Sequence, residues 1–72
     1  MDVRRLKGKM ALIGLTQAEL AERLGTSVSS FNAKLNGRRS FRLSEAEKIC
    51  EVLGISDPTE RAEIFLSLDV QM

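Results

Sequence analysis

The chain contains no histidine, no tryptophan and no tyrosine, and it has a single cysteine. Without histidine it lacks the usual general base near neutral pH, so catalysis starts at a disadvantage. One cysteine cannot close a disulfide within the chain, and without histidine it cannot build a zinc site. Three phenylalanines are the only aromatics among 72 residues. That is too few for the stacking platforms on which single-stranded nucleic acids are held. No apolar run approaches the ~20 residues of a membrane span. The opening Met1-Asp2-Val3-Arg4-Arg5 lacks the apolar stretch of a leader peptide. The expectation is a non-enzymatic protein of the cytoplasm that uses no metal, cofactor, membrane or small-molecule substrate.

What is present is an ordinary globular mixture, 43% hydrophobic and 29% charged. The length predicts a single domain over residues 1–72. A core this small gains from association when no disulfide or metal assists it, so a second copy is expected.

The net charge of +1 hides an uneven distribution. The first 42 residues carry nine bases against three acids, and the last 30 carry two bases against seven. From Thr26 to Arg42 there are four bases (Lys34, Arg38, Arg39, Arg42) and no acid. Such a split predicts one surface for a polyanion and another for solvent or a different partner.

Punctuation along the chain predicts five short helices. Asp2 is placed to cap the first, where Val3, Leu6, Met10 and Ile13 form an apolar stripe interrupted by Gly8. Gly14 is a stop. Thr16-Gln17-Ala18-Glu19 reads as a capping box, with Leu15 and Leu20 as its hydrophobic staple and Gly25 as the left-handed end. Ser27 caps a third helix carrying Val28, Phe31 and Leu35 at helical spacing, and Asn36-Gly37 closes it. A basic loop, Arg38 to Arg42, is anchored by Phe41. Ser44-Glu45-Ala46-Glu47 reads as a second capping box, followed by Ala46, Ile49, Cys50 and Leu53 on one face and a stop at Gly54-Ile55. Asp57-Pro58-Thr59-Glu60 opens the last helix, expected over about 58–68. No alternating pattern predicts a sheet. Cys50 reads as a small buried hydrophobe. The pairs Glu45/Glu47 and Glu60/Glu63 sit at helix starts, where carboxylates complement the dipole, and need no catalytic explanation.

The second and third helices, joined by a tight turn containing Gly25, form a helix-turn-helix over about 16–36. Ala21 is the small residue at their crossing, and Phe31 marks the inner side of the second helix of the pair.

The run from Gly14 through Gly25 to Ser27, GLTQAELAERLGTS, resembles the lambda-repressor-like, or Cro/C1-type, helix-turn-helix family. The resemblance continues through Ala33-Lys34-Leu35-Asn36-Gly37-Arg38-Arg39, and Leu43 to Ile55 is similar to that family's fourth helix. It covers roughly Arg5 to Leu66. Details such as Leu6-Lys7-Gly8-Lys9-Met10 and Lys34-Leu35-Asn36-Gly37 look most like small regulators of Gram-positive phages and prophages. The resemblance implies an all-α, compact five-helix DNA-binding fold. Its third helix, about 28–35, would lie in the major groove of operator DNA. Base contacts are implied for Val28, Ser29, Asn32 and Ala33. Asn32 is the residue suited to adenine, and Val28 can offer only apolar contact, for example to a thymine methyl. Phosphate contacts are implied for Gln17, Ser27, Lys34, Asn36, Arg38, Arg39 and Arg42. Many relatives carry Gln or Arg where this chain has Val28.

The tail adds apolar residues beyond one helix face. Ala62, Phe65 and Leu66 form one stripe, Ile64 and Leu68 are expected to point elsewhere, and Val70 and Met72 follow. A protein interface is therefore expected at Ile64, Phe65, Leu68 and Val70, with a homodimer as its occupant. Two function classes follow. One is a sequence-specific transcriptional regulator of a phage or prophage switch, acting on the nucleoid of a bacterial host. The other is an antirepressor or modulator that keeps the fold and binds a phage repressor protein.

Overall fold

The computed structural model describes residues 3–68 and 70–71. Five helices follow one another: α1 (Arg4–Ile13), α2 (Gln17–Leu24), α3 (Val28–Leu35), α4 (Leu43–Val52) and α5 (Pro58–Ser67). Two short strands, β1 (Phe41–Arg42) and β2 (Val70–Gln71), pair in parallel with Phe41 opposite Val70 and Arg42 opposite Gln71. The fold is all-α apart from this ladder. No sheet was expected, because two residues are too few to display an alternating pattern. The pairing depends on where the chain's end returns, which local sequence does not encode.

The helix boundaries follow the local chemistry. Thr16 Oγ1 accepts from the Glu19 N–H at 3.1 Å, and Glu19 Oε1 accepts from the Thr16 N–H at 3.0 Å, completing the first capping box. Asp57 Oδ2 accepts from the Glu60 N–H at 3.0 Å, and Pro58 takes the first helical position of α5. At the end of α2, Gly25 adopts φ 73°. Its N–H donates to the Glu22 carbonyl, and the Thr26 N–H reaches the Ala21 carbonyl at 3.0 Å. This left-handed turn leaves only three residues between the end of α2 and the start of α3.

Three local expectations change. Asp2, the expected cap of α1, lies outside the described residues, and Val3 occupies the cap position without a side-chain hydrogen bond. Ser44 does not cap α4. The helix begins at Leu43, two residues before the start a Ser44 cap would give, and the Arg42 N–H donates to Glu45 Oε1 at 2.8 Å. Arg42 is held extended by its strand, so Glu45 rather than Glu47 stands three residues on and reaches back. Gly8 marks neither close packing nor a break: α1 is continuous through it, it is exposed, and a Cβ there would meet nothing within 4 Å.

The core is one contiguous cluster fed by every helix and by Phe41. Leu6 and Met10 come from α1, Leu20 and Ala21 from α2, Phe31 and Leu35 from α3, Ala46, Ile49 and Cys50 from α4, and Ile64 from α5. Phe31 and Phe41 are fully buried and meet edge to face, with ring centroids 6.1 Å apart at 74°. Such a pair adds about 1 kcal/mol to the burial of the two rings. Phe41 thus ties the basic loop and its ladder to the inner side of α3. Cys50 is buried as expected, and burial pushes its thiol pKa up, so it stays neutral and inert.

The apolar face of α5 is rotated from the expected one. Ile64 is 0% exposed and Leu68 is buried with it in the core, whereas Leu66 is 85% exposed. Ile64 and Leu68 are four apart and stack on one face, where they bury more apolar surface than a face containing Ala62. Two ion pairs fix this rotation by turning the neighbouring face toward α1: Arg5 Nη1 to Glu63 Oε2 at 2.6 Å, and Lys9 Nζ to Glu60 Oε1.

Candidate nucleic-acid interface

The α3 helix lies at the surface with its inner side fixed by Phe31 and Leu35. Ser27, in extended conformation, caps it: its Oγ accepts from the Ser30 N–H at 3.1 Å. Capping uses an acceptor lone pair and leaves the Ser27 hydroxyl proton available to a phosphate oxygen. The remaining outward positions are those anticipated. Val28 is 43% exposed, Ser29 is exposed, and Asn32 and Ala33 are half-buried on the same side of the helix. Gln17 is the first residue of α2 and is half-buried. Next to it are the helix's first N–H groups, a favourable setting for an anionic oxygen.

Beyond α3 the chain turns through Gly37, and Asn36, Arg38 and Arg39 are exposed there. Arg38 and Arg39 make no ion pair among the described residues. Arg42 is exposed at the head of α4.

Lys34 departs from its expected role. It is only 8% exposed, and its ammonium lies 2.6 Å from Glu45 Oε2. Lys34 points along the flank of α3 toward α4, so its charge is spent inside the protein and it is withdrawn from the phosphate set. A charge-assisted bond at this distance between two largely covered side chains is screened less than an exposed pair. Burial alone would push the Glu45 carboxyl up. The Lys34 and Arg42 N–H hydrogen bonds and their charges outweigh it and hold the carboxyl below its ordinary value.

The charge map also differs from the linear one. Two of the α1 bases, Arg5 and Lys9, face Glu63 and Glu60 of α5. The basic and acidic ends of the chain therefore meet and cancel in part. Around the end of α3, exposed Arg38 and Arg39 have no ion-pair partner among the described residues, and Arg42 is exposed three residues further on. A polar cleft of about 680 Å³ borders this region, lined in part by Lys34, Arg39, Ser40, Arg42, Glu45 and Gln71. Gln71 was not anticipated, since only the unforeseen ladder brings the tail there.

The expected protein interface is revised by the rotation of α5. Ile64 and Leu68 are core residues and present nothing to a partner. Phe65 is half-buried beneath the Arg61 guanidinium, 5.9 Å from the ring centre, and Val70 is half-buried within the ladder. Among the described residues, the large apolar side chains that face solvent are Leu66, Leu12 (82% exposed), Val28 and Ile13, the last of which was expected on the core stripe of α1. Leu12 was missed because it lies off the core stripe of α1, where a lone leucine carries no periodic signal. Met72 lies outside the described residues.

No helix among the described residues is long and apolar enough to cross a membrane. Residues 3–64 match the model of a family described as a helix-turn-helix domain. No curated protein and no solved structure matches the chain.

Proposed function

We propose that this chain, which belongs to the helix-turn-helix domain family, is a sequence-specific double-stranded DNA-binding transcriptional regulator of the phage or prophage Cro-repressor type. Family membership supports a DNA-binding regulator in general. The subtype rests on the sequence resemblance described above. The observation that carries the reading is local: an uncharged face on α3 is followed directly by exposed Arg38, Arg39 and Arg42, while Arg5 and Lys9 of α1 are paired with acids of α5. A groove-reading helix needs such a face, and the flanking arginines supply the sequence-independent attraction to phosphate.

In this reading Val28, Ser29, Asn32 and Ala33 address base edges, and Gln17, Ser27, Asn36, Arg38, Arg39 and Arg42 hold the backbone. The protomer measures at most 29 Å across, and half-sites read from one face of DNA lie about 34 Å apart. Two copies on one operator suit that spacing, with the protein working on the nucleoid in the cytoplasm of a bacterial host. A salt-dependent gel shift on duplex from the chain's own genetic neighbourhood tests the reading. Binding at low salt that weakens steeply as salt rises supports it, and no binding at low salt contradicts it.

Exposed Leu12 and Leu66 favour one second reading, an antirepressor that keeps the fold and binds a phage repressor protein. Absence of DNA binding together with co-purification of a repressor encoded nearby selects it.

A further inference from the structure

We infer that α3 reads A·T pairs, with the thymine methyl as its apolar determinant. This inference rests on the DNA-binding reading above and names the base class it selects.

The inference comes from what the exposed face of α3 can and cannot offer. Guanine is most often recognised by an arginine or lysine donating to its O6 and N7, and cytosine by a carboxylate accepting from its N4 amine. The helix contains one cation, Lys34, and no acid. The structure removes that cation from contention by burying it against Glu45. From the sequence alone Lys34 remained a candidate for DNA contact, so this restriction appears only in the fold. The residual face therefore carries no formal charge.

Its remaining groups match the other pair. Asn32 presents an amide, which pairs with adenine by donating to N7 and accepting from N6. Val28, 43% exposed at the first position of the helix, presents two methyls with no hydrogen-bonding capacity. The only base-edge feature in the major groove that rewards such a surface is the thymine 5-methyl. Ser29 accepts or donates and discriminates little. Val28 and Asn32 stand about one helical turn apart on the same face, about 6 Å along the axis. That span covers about two base-pair steps, so the two side chains address pairs about two steps apart in one half-site.

The test starts from selection of the wild-type protein on a random-sequence duplex pool at low salt. The best duplex is then resynthesised with uracil replacing thymine, one position at a time. The expected result is a half-site whose central pairs are A·T. Uracil at one of them should weaken binding about fourfold, the worth of one buried methyl. Val28→Ala should bind the thymine duplex more weakly and lose most of the uracil effect. Asn32→Ala should lose about tenfold in discrimination at a different pair. Val28 is exposed and Asn32 half-buried, and helical circular dichroism checks that each variant is folded. Enrichment of G·C pairs at the centre overturns the inference while leaving DNA binding intact, and so does a uracil series with no effect. A chain that enriches no duplex at all removes the DNA-binding reading and this inference with it.

Discussion

Lys34 on α3 and Glu45 on α4 meet at 2.6 Å, with about a tenth of each side chain open to solvent. Glu45 also accepts the Arg42 N–H at the head of α4. One carboxylate therefore caps a helix with one oxygen and clamps α3 with the other. The pair fixes how α3 sits on the rest of the protein.

Lys34→Met should destabilise the fold by about 2 kcal/mol, because it leaves a half-buried carboxylate with a single donor. Glu45→Leu should cost more, since it also removes the cap and strands the ammonium. The double variant should recover part of the sum, showing coupling between the two sites. Urea denaturation of the four proteins measures this cycle. Strict additivity would mean the pair is not energetically coupled.

Acid should weaken the fold through two carboxyls. Glu45 is held low for the reasons given above. The Glu19 carboxyl is also lowered, first by the Thr16 N–H hydrogen bond and then by the Thr16 hydroxyl. A folded-state pKa below the unfolded one means the unfolded chain binds protons first as pH falls. The stabilisation is present in full above the ordinary glutamate value of about 4.3 and is lost as pH drops through the lower folded values. Stability measured from pH 7 to pH 3 should be level at first and then fall. Glu45→Gln and Glu19→Gln should each flatten the acid limb while lowering the neutral plateau.

Two glycines should respond with opposite sign to one substitution. Gly8 lies inside α1 with open space where a Cβ would go, so Gly8→Ala should raise stability by about 0.5–1 kcal/mol. Gly25 also has open space, but its φ of 73° is disfavoured for alanine, so Gly25→Ala should cost about 1 kcal/mol. Thermal unfolding of both variants checks the pair. Equal shifts in one direction would refute the backbone explanation.

The rotation of α5 is testable on adjacent apolar residues. Ile64→Ala should cost about 3 kcal/mol as a fully buried truncation. Leu66→Ala should change the monomer's stability by less than about 0.5 kcal/mol. Denaturation at low protein concentration gives these values. A concentration-dependent loss confined to Leu66→Ala would place Leu66 in a contact between copies.

The legible part of the molecule was written in short-range chemistry. Thr16 with Glu19, Asp57 with Pro58, and the left-handed glycines each act within five residues, so the starts of α2 and α5 and the glycine stops could be read directly, whereas the start of α4 depends on the ladder that holds Arg42 extended. The exposed face of α3 followed from the spacing of Phe31 and Leu35. Features set by tertiary distance were not legible. Lys34 and Glu45 are eleven residues apart, and nothing local distinguishes a lysine bound for solvent from one turned inward. Arg5 with Glu63 and Lys9 with Glu60 join opposite ends of the chain, so the linear charge split overstated the separation of surfaces. On α5 two apolar stripes compete, and packing against α1 and the core chose the one carrying Ile64 and Leu68. The ladder of Phe41 with Val70 is too short to leave a pattern.

The most direct measurement compares two arginine–lysine clusters by fluorescence anisotropy on one duplex across a salt series. In the first variant Arg38 and Arg39, exposed after α3, are changed to alanine. In the second, Arg5 and Lys9, engaged with Glu63 and Glu60, are changed to alanine. Each variant loses two positive charges, so total charge does not distinguish them. Expected is a uniform loss of affinity for the Arg38→Ala, Arg39→Ala variant, with the salt slope shallower by about one unit per residue. The Arg5→Ala, Lys9→Ala variant should keep nearly the wild-type slope. Equal losses in the two variants, or a wild-type protein that binds no duplex at low salt, would contradict a DNA-binding face built on α3 and its arginine loop.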